Sequence, residues 1–197
     1  YYAYTVPSIL FFIALAPGFF AASFARARFG AVKPHIHHSW REVAPDFKSG
    51  GAILFTLLLF FQFGNEGALA GWLTLFLIQR LGVSPETALL TLALYWLALL
   101  IGRVMTQAVL PKMSHGKLLF GSVLGALFGC TILSSTDNLF GAITGVLFAG
   151  LSFSAILPLV MEEIGGRFPY FHPAFFSGIF SVGLAGALLA PATLGYF

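Results

Sequence analysis

The sequence predicts an all-α membrane protein with six transmembrane helices, and three observations carry that expectation. Hydrophobic residues make up 58% of the 197 and charged ones only 9%, far from the balance of a globular domain. Six apolar segments, roughly 4–24, 52–79, 86–110, 117–135, 139–161 and 171–196, reach the length of about 20 residues that a helix needs to cross a hydrocarbon core of ~30 Å. They neither alternate nor shorten as the strands of a membrane barrel do.

Each element follows from its composition. The first segment is followed by the only long polar stretch, residues 25–51, which holds Arg26, Arg28, Lys33, Arg41 and Lys48 with His35, His37 and His38. The later joints, Leu81–Pro85, Pro111–Gly116, Thr136–Asn138 and Glu162–Tyr170, are so short that successive helices must be antiparallel neighbours. Pro158 and Pro191 fall inside the fifth and sixth segments, where a missing N–H kinks a helix. Counting basic residues orients the set. The long loop, Lys112, Lys117 and Arg167 lie on one side and Arg80 alone on the other. Residues 25–51 are therefore expected in the cytoplasm, with the first segment running outside to inside. The chain opens on Tyr1-Tyr2 and closes on Gly195-Tyr196-Phe197, which reads as a fragment of a longer chain.

The net charge of +3 is explained by this topology, so no nucleic-acid partner is expected. Cys130 is the single cysteine, which excludes an intrachain disulfide framework and a cysteine zinc site. The loop histidines read as solvated, and His172 as a capping or interface residue, so no metal or cofactor is expected. No His-Glu-x-x-His, Gly-x-Ser-x-Gly or phosphate-binding Gly-x-x-x-x-Gly-Lys-Ser/Thr pattern occurs, which argues against an enzyme.

Function is expected where polar groups interrupt the apolar runs. Glu66 is the only charge between Ala52 and Ile78. A charge at that depth costs about 3 kcal/mol even on lenient insertion scales, and such groups face an interior or a watery cavity. Gln62 and Asn65 share its helical face, giving a candidate pocket and a candidate proton or cation carrier; the alternative is a structural hydrogen bond between helices. Gly64, Gly67 and Gly71 flank the set at spacings suited to close helix packing, or to local unwinding around a ligand. Tyr95 and Trp96, near mid-depth in the third segment, are stacking surfaces for a ring-shaped ligand or else bulk. Trp72 is a pocket rim or an interface anchor. Arg103 either snorkels to the headgroups or pairs with Glu162 or Glu163 as a gate.

The arrangement of one span, a long basic loop and tightly joined spans resembles the second half of a major facilitator transporter. Gly64-Asn65-Glu66-Gly67-Ala68-Leu69-Ala70-Gly71-Trp72 is similar to the seventh helix of its fucose-permease-like sugar branch, and Tyr95-Trp96 through Ile101-Gly102-Arg103 to that branch's eighth. Gly166-Arg167-Phe168-Pro169, Ser177-Gly178 and Gly186 through Pro191 to Gly195 resemble its tenth-to-eleventh region. The resemblance implies three parts: 1–24 as the last helix of an N-terminal domain, 25–51 as the inter-domain linker, and 52–197 as an incomplete C-terminal domain. Helices one to five and the twelfth have no counterpart, so the first domain's half of the cavity is a missing partner. The loop Leu110–Lys117 lacks the charge pattern usual for the superfamily's gating loop.

The resemblance further implies secondary active transport of a small polar solute, a sugar among them, by alternating access in a bacterial inner membrane, coupled to protons or sodium. Two other readings stay open. One is a non-transporting receptor or assembly protein on the same fold. The other is an intramembrane enzyme, which requires a second catalytic group beside Glu66.

Overall fold

A computed structural model describes residues 2–27, 40–167 and 173–196. Among them every regular element is helical. In chain order these are α1 (Tyr2–Arg26), α2 (Trp40–Phe47), α3 (Gly50–Leu81), α4 (Pro85–Val109), a single 3₁₀ turn at Leu110–Lys112, α5 (His115–Ser135), α6 (Leu139–Arg167) and α7 (Pro173–Leu194). Six of these helices are long and apolar enough to cross a membrane. The chain divides into two compact units, Tyr1–His37 and His38–Phe197. The first contains α1, which carries Pro7 and Pro17 within it. His35, His37, His38 and His172 lie outside the described residues.

In the second unit the helix ends are set by local chemistry. Ser49 caps α3 by accepting from the Ala52 N–H, and Ser84 caps α4 by accepting from the Thr87 N–H, each meeting a donor that the first turn leaves free. Asn138 does the same for α6, its Oδ1 accepting from the Gly141 N–H at 2.8 Å. At the end of α3, Gly82 takes φ 63° and its N–H returns to the Ile78 carbonyl. Only glycine enters that left-handed region at no steric cost, which lets the chain reverse within three residues.

Two elements depart from the sequence expectation. α2 forms inside the long polar stretch, where no helix is predicted, and it seats Phe47 against Phe175 at 4.8 Å between ring centroids. α6 runs on to Arg167, beyond the apolar limit at residue 161, because Glu162, Glu163 and Arg167 continue the helix as a polar last turn. α3, at 32 residues, is about 48 Å long at the α-helical rise and is unbroken through Gly64, Gly67 and Gly71, so no local unwinding occurs there.

Packing depends on small residues. A Cβ at Gly186 of α7 would collide with the Phe60 carbonyl of α3, and one at Gly67 would meet the Ala187 carbonyl. Gly129 of α5 and Gly145 of α6 face each other's backbones, while Gly102 and Gly150 bring α4 onto α6. Such contacts hold helices together where lipid removes the hydrophobic drive between them. Gly71 of α3, by contrast, has open space where its Cβ would stand. The result is an α3–α7 pair beside an α4–α6–α5 group, with α6 innermost: 56% of its apolar window is buried, against 17% for α5.

Candidate functional site

Glu66 lies midway along α3, one turn beyond Gln62, and the spacing brings the two side chains together. Gln62 Nε2 donates to Glu66 Oε1 at 2.8 Å and to the Phe153 carbonyl oxygen of α6 at 3.1 Å. Both N–H groups of the amide are thereby used, which fixes Gln62 and, through it, the near oxygen of Glu66. Gln62 is buried and Glu66 half-buried. The side chain that hydrogen-bonds Glu66 is thus an amide rather than a His, Ser or Asp.

Asn65 parts from this pair. It is exposed and makes neither of those bonds. It lines a groove of about 400 Å³ between α3, α5 and the end of α7, with Trp72, Phe76, Cys130, Leu133 and Leu194. Positions 62, 65 and 66 cover about 100° of helix circumference, wide enough for the outermost groups to face different neighbours. Glu66 lines none of the described cavities. Trp72 is an anchor between helices: its Nε1 donates to the Pro191 carbonyl of α7 at 3.0 Å.

The expected aromatic surface is divided. Tyr95 is 0% exposed, with its ring and carbonyl against Gly150, whereas the neighbouring Trp96 is 51% exposed. The two rings neighbour each other at 5.6 Å between centroids, tilted by 59°, but only the Trp96 ring is open to a ligand.

Arg103 does not meet the two glutamates. It is exposed on α4. Among the described residues it forms no ion pair with Glu162 or Glu163. Those carboxylates have nearer partners. His115 Nε2 lies 3.3 Å from Glu162 Oε1, His115 Nδ1 lies 3.7 Å from Glu163 Oε2, and Arg167 Nε lies 2.7 Å from Glu163 Oε1. Arg167 is one turn from Glu163 on α6 and His115 opens α5 alongside it, so both reach the glutamates, whereas Arg103 stands toward the C-terminal end of α4 without meeting them. Arg167 also sits over the Phe55 ring of α3 at 6.0 Å, so this cluster gathers α3, α5 and α6 at one end of the bundle around a cavity of about 230 Å³. The sequence reading missed His115, which carries no signal until α5 and α6 are paired. At the opposite end, Arg80 donates to the Thr136 carbonyl at 3.3 Å and to Asp137 at 3.1 Å, tying α3 to the α5–α6 joint.

The fold defines an all-helical, multi-pass integral membrane protein with an ionisable side chain at mid-span. No protein-family model matches the chain, and no solved structure matches it. It is 27% identical over 150 residues to an uncharacterized MFS-type transporter of Yersinia pestis, which covers 76% of this chain and 39% of that protein. It is 28% identical over 134 residues to a fosmidomycin resistance protein of Escherichia coli, which covers 66% of this chain and 33% of that protein. The matched stretches thus span well under half the length of these curated relatives. The likeness to an MFS-type transporter goes with the six membrane-length helices of the fold.

Proposed function

We propose that the chain is part of a secondary active transporter that moves a small polar solute by alternating access, with the Gln62–Glu66 pair offered to the solute or the coupling ion. The observation that carries this is Glu66 itself. A carboxyl group midway along a membrane-spanning helix is held by one hydrogen bond from Gln62 and left half-buried. A purely structural group at that depth is better served by full burial with every lone pair met. The Yersinia relative, named an MFS-type transporter, supports the same class.

The finer reading has narrower support. Residues 64–72 favour a sugar through their resemblance to the sugar branch, and the ionisable Glu66 favours proton or sodium coupling. The separation of Tyr1–His37 from His38–Phe197 falls within the proposed linker at 25–51. The bias of Lys and Arg supports a cytoplasmic location for that linker, and bacterial relatives support a bacterial inner membrane. We assign Asn65 and Trp96 to exposed walls of α3 and α4. The inner gate we place at the His115–Glu162–Glu163–Arg167 cluster, with an Arg103 bridge to either glutamate reserved for the other transport state.

Liposomes holding the complete protein test this, with an imposed proton or sodium gradient and a panel of labelled sugars. Fosmidomycin belongs in the panel because the E. coli relative is named for resistance to it. Glu66→Gln is expected to abolish gradient-driven uptake in a protein that still folds. Unchanged uptake removes Glu66 from the mechanism.

A further inference from the structure

His115 begins α5 and faces the last turn of α6, where its ring stands between two carboxylates. Nε2 lies 3.3 Å from Glu162 Oε1, and Nδ1 lies 3.7 Å from Glu163 Oε2. A neutral imidazole carries an N–H on one nitrogen and a lone pair on the other. Whichever tautomer it took, that lone pair would be turned toward a negative oxygen. Only the imidazolium presents a positive N–H to both sides. The balance of charge agrees. Glu162 and Glu163 bring two negative charges, and Arg167, 2.7 Å from Glu163 Oε1, brings one positive. One negative charge is left over unless the ring is protonated.

The charged groups that face the ring all come from α6. α3 presents only Phe55 to the adjoining cavity of about 230 Å³, and α5 adds Gly116 and Leu119 beside His115 itself. Lys112 and Lys117 flank His115 in sequence, and among the described residues neither forms an ion pair with the glutamates. The His115 side chain is 39% accessible, so water can bring a proton to the ring or take it away. The turn that the ring meets is a weak one. It contains Gly165 and Gly166, each with open space where a Cβ would stand, and glycine is the poorest helix former after proline.

We propose that His115 is a proton-operated latch: as an imidazolium it clasps Glu162 and Glu163 and holds the last turn of α6 against α5, and on losing its proton it lets that turn go. Imidazole is the side chain whose charge changes between about pH 5 and 8. The latch therefore closes toward the acid side of that range and opens toward the alkaline side. The proposal deepens the placing of the inner gate at this cluster and rests on that reading for its part in transport, but the latch itself is tested with no solute present.

Hydrogen exchange of the complete protein in detergent reads the latch directly. The amides of residues 162–167 are followed at about pH 6 and about pH 8.5, corrected for the intrinsic pH dependence of exchange. Residues 77–81 are the internal reference, because Arg80 there meets Asp137 and the Thr136 carbonyl and no histidine. Exchange at 162–167 relative to the reference is expected to rise about two- to fivefold at the higher pH. In His115→Gln the rise is expected to vanish, with the faster exchange present at both pH values. An unchanged ratio in the wild type overturns the proposal, and so does a rise that survives in His115→Gln. The wild-type arm decides by itself where the variant does not fold. Unchanged uptake by Glu66→Gln in liposomes removes Glu66 from the mechanism and leaves the exchange result standing, so the two readings fail separately.

Discussion

Gln62 of α3 donates to the Phe153 carbonyl of α6 at 3.1 Å, across 91 positions of sequence. This buried hydrogen bond joins the α3–α7 pair to the α4–α6–α5 group, and the same nitrogen positions Glu66. Gln62→Met keeps the length of the side chain and removes both bonds. It is expected to cost about 1–2 kcal/mol, read as a lower unfolding midpoint in detergent. Gln62→Glu should cost more, because it sets a second carboxylate one turn from Glu66. Equal midpoints for the two variants contradict this ranking.

The glycines of α3 and α7 separate by role. Gly186→Ala drives a methyl group into the Phe60 carbonyl, and only a backbone shift relieves it. A loss of about 1–3 kcal/mol is expected. Gly71→Ala meets open space and replaces a poor helix former, so it should be neutral or stabilising by up to about 1 kcal/mol. The pair of variants on one expression and melting assay decides between a packing role and a merely compositional one.

Trp72 holds the Pro191 carbonyl at 3.0 Å and packs on Gly195. Trp72→Phe keeps most of the apolar bulk and deletes the donor, with an expected cost of about 1 kcal/mol. Proteolysis near the end of α7 should accelerate if Trp72 is the clasp that holds it. An unaltered cleavage rate places the anchor elsewhere.

The Arg80–Asp137 pair is exposed, its side chains 44% and 85% accessible. Asp137→Asn should therefore change stability by less than about 1 kcal/mol, and less still at high salt. Arg80→Ala should exceed it, since Arg80 also donates to the Thr136 carbonyl and lies over the Phe76 ring at 5.8 Å. Matching losses in the two variants leave the ion pair as the whole interaction.

Much of the architecture was legible because a bilayer demands it: every apolar segment of sufficient length is a helix. The Gln62–Glu66 contact was legible too, because positions four apart on a helix meet. The Phe153 carbonyl that completes it was not, since a backbone oxygen has no signature in sequence. Trp40–Phe47 escaped notice because eight residues that hold Arg41, Glu42, Pro45 and Asp46 look like loop until Phe47 finds Phe175. The last turn of α6 escaped because Glu162-Glu163 followed by Gly165-Gly166 imitates a helix end. In this structure Arg103 forms no ion pair with Glu162 or Glu163 among the described residues, and what holds those carboxylates was only partly legible. Sequence gives depth along a helix but not which neighbour it faces: His115 reaches Glu162 and Glu163 only once α5 and α6 are paired, while Arg167 meets Glu163 within α6 itself once that helix is seen to continue past residue 161.

The partnership of α3 with α7 also bears on how the protein is made. Trp72 and Pro191 are 119 residues apart in the chain, and the glycine face of α3 fits α7 rather than its sequence neighbour α4. As the ribosome delivers the helices in order, α3 enters the bilayer first of the five in its unit and its closest partner last. Through the synthesis of α4, α5 and α6, that face and the Gln62–Glu66 pair beside it wait with one wall unbuilt. A chain stalled before Pro173 would leave a mid-membrane carboxylate with reduced cover, which makes the interval before α7 arrives the period when this protein most needs a chaperoning helix or an insertase to shield it.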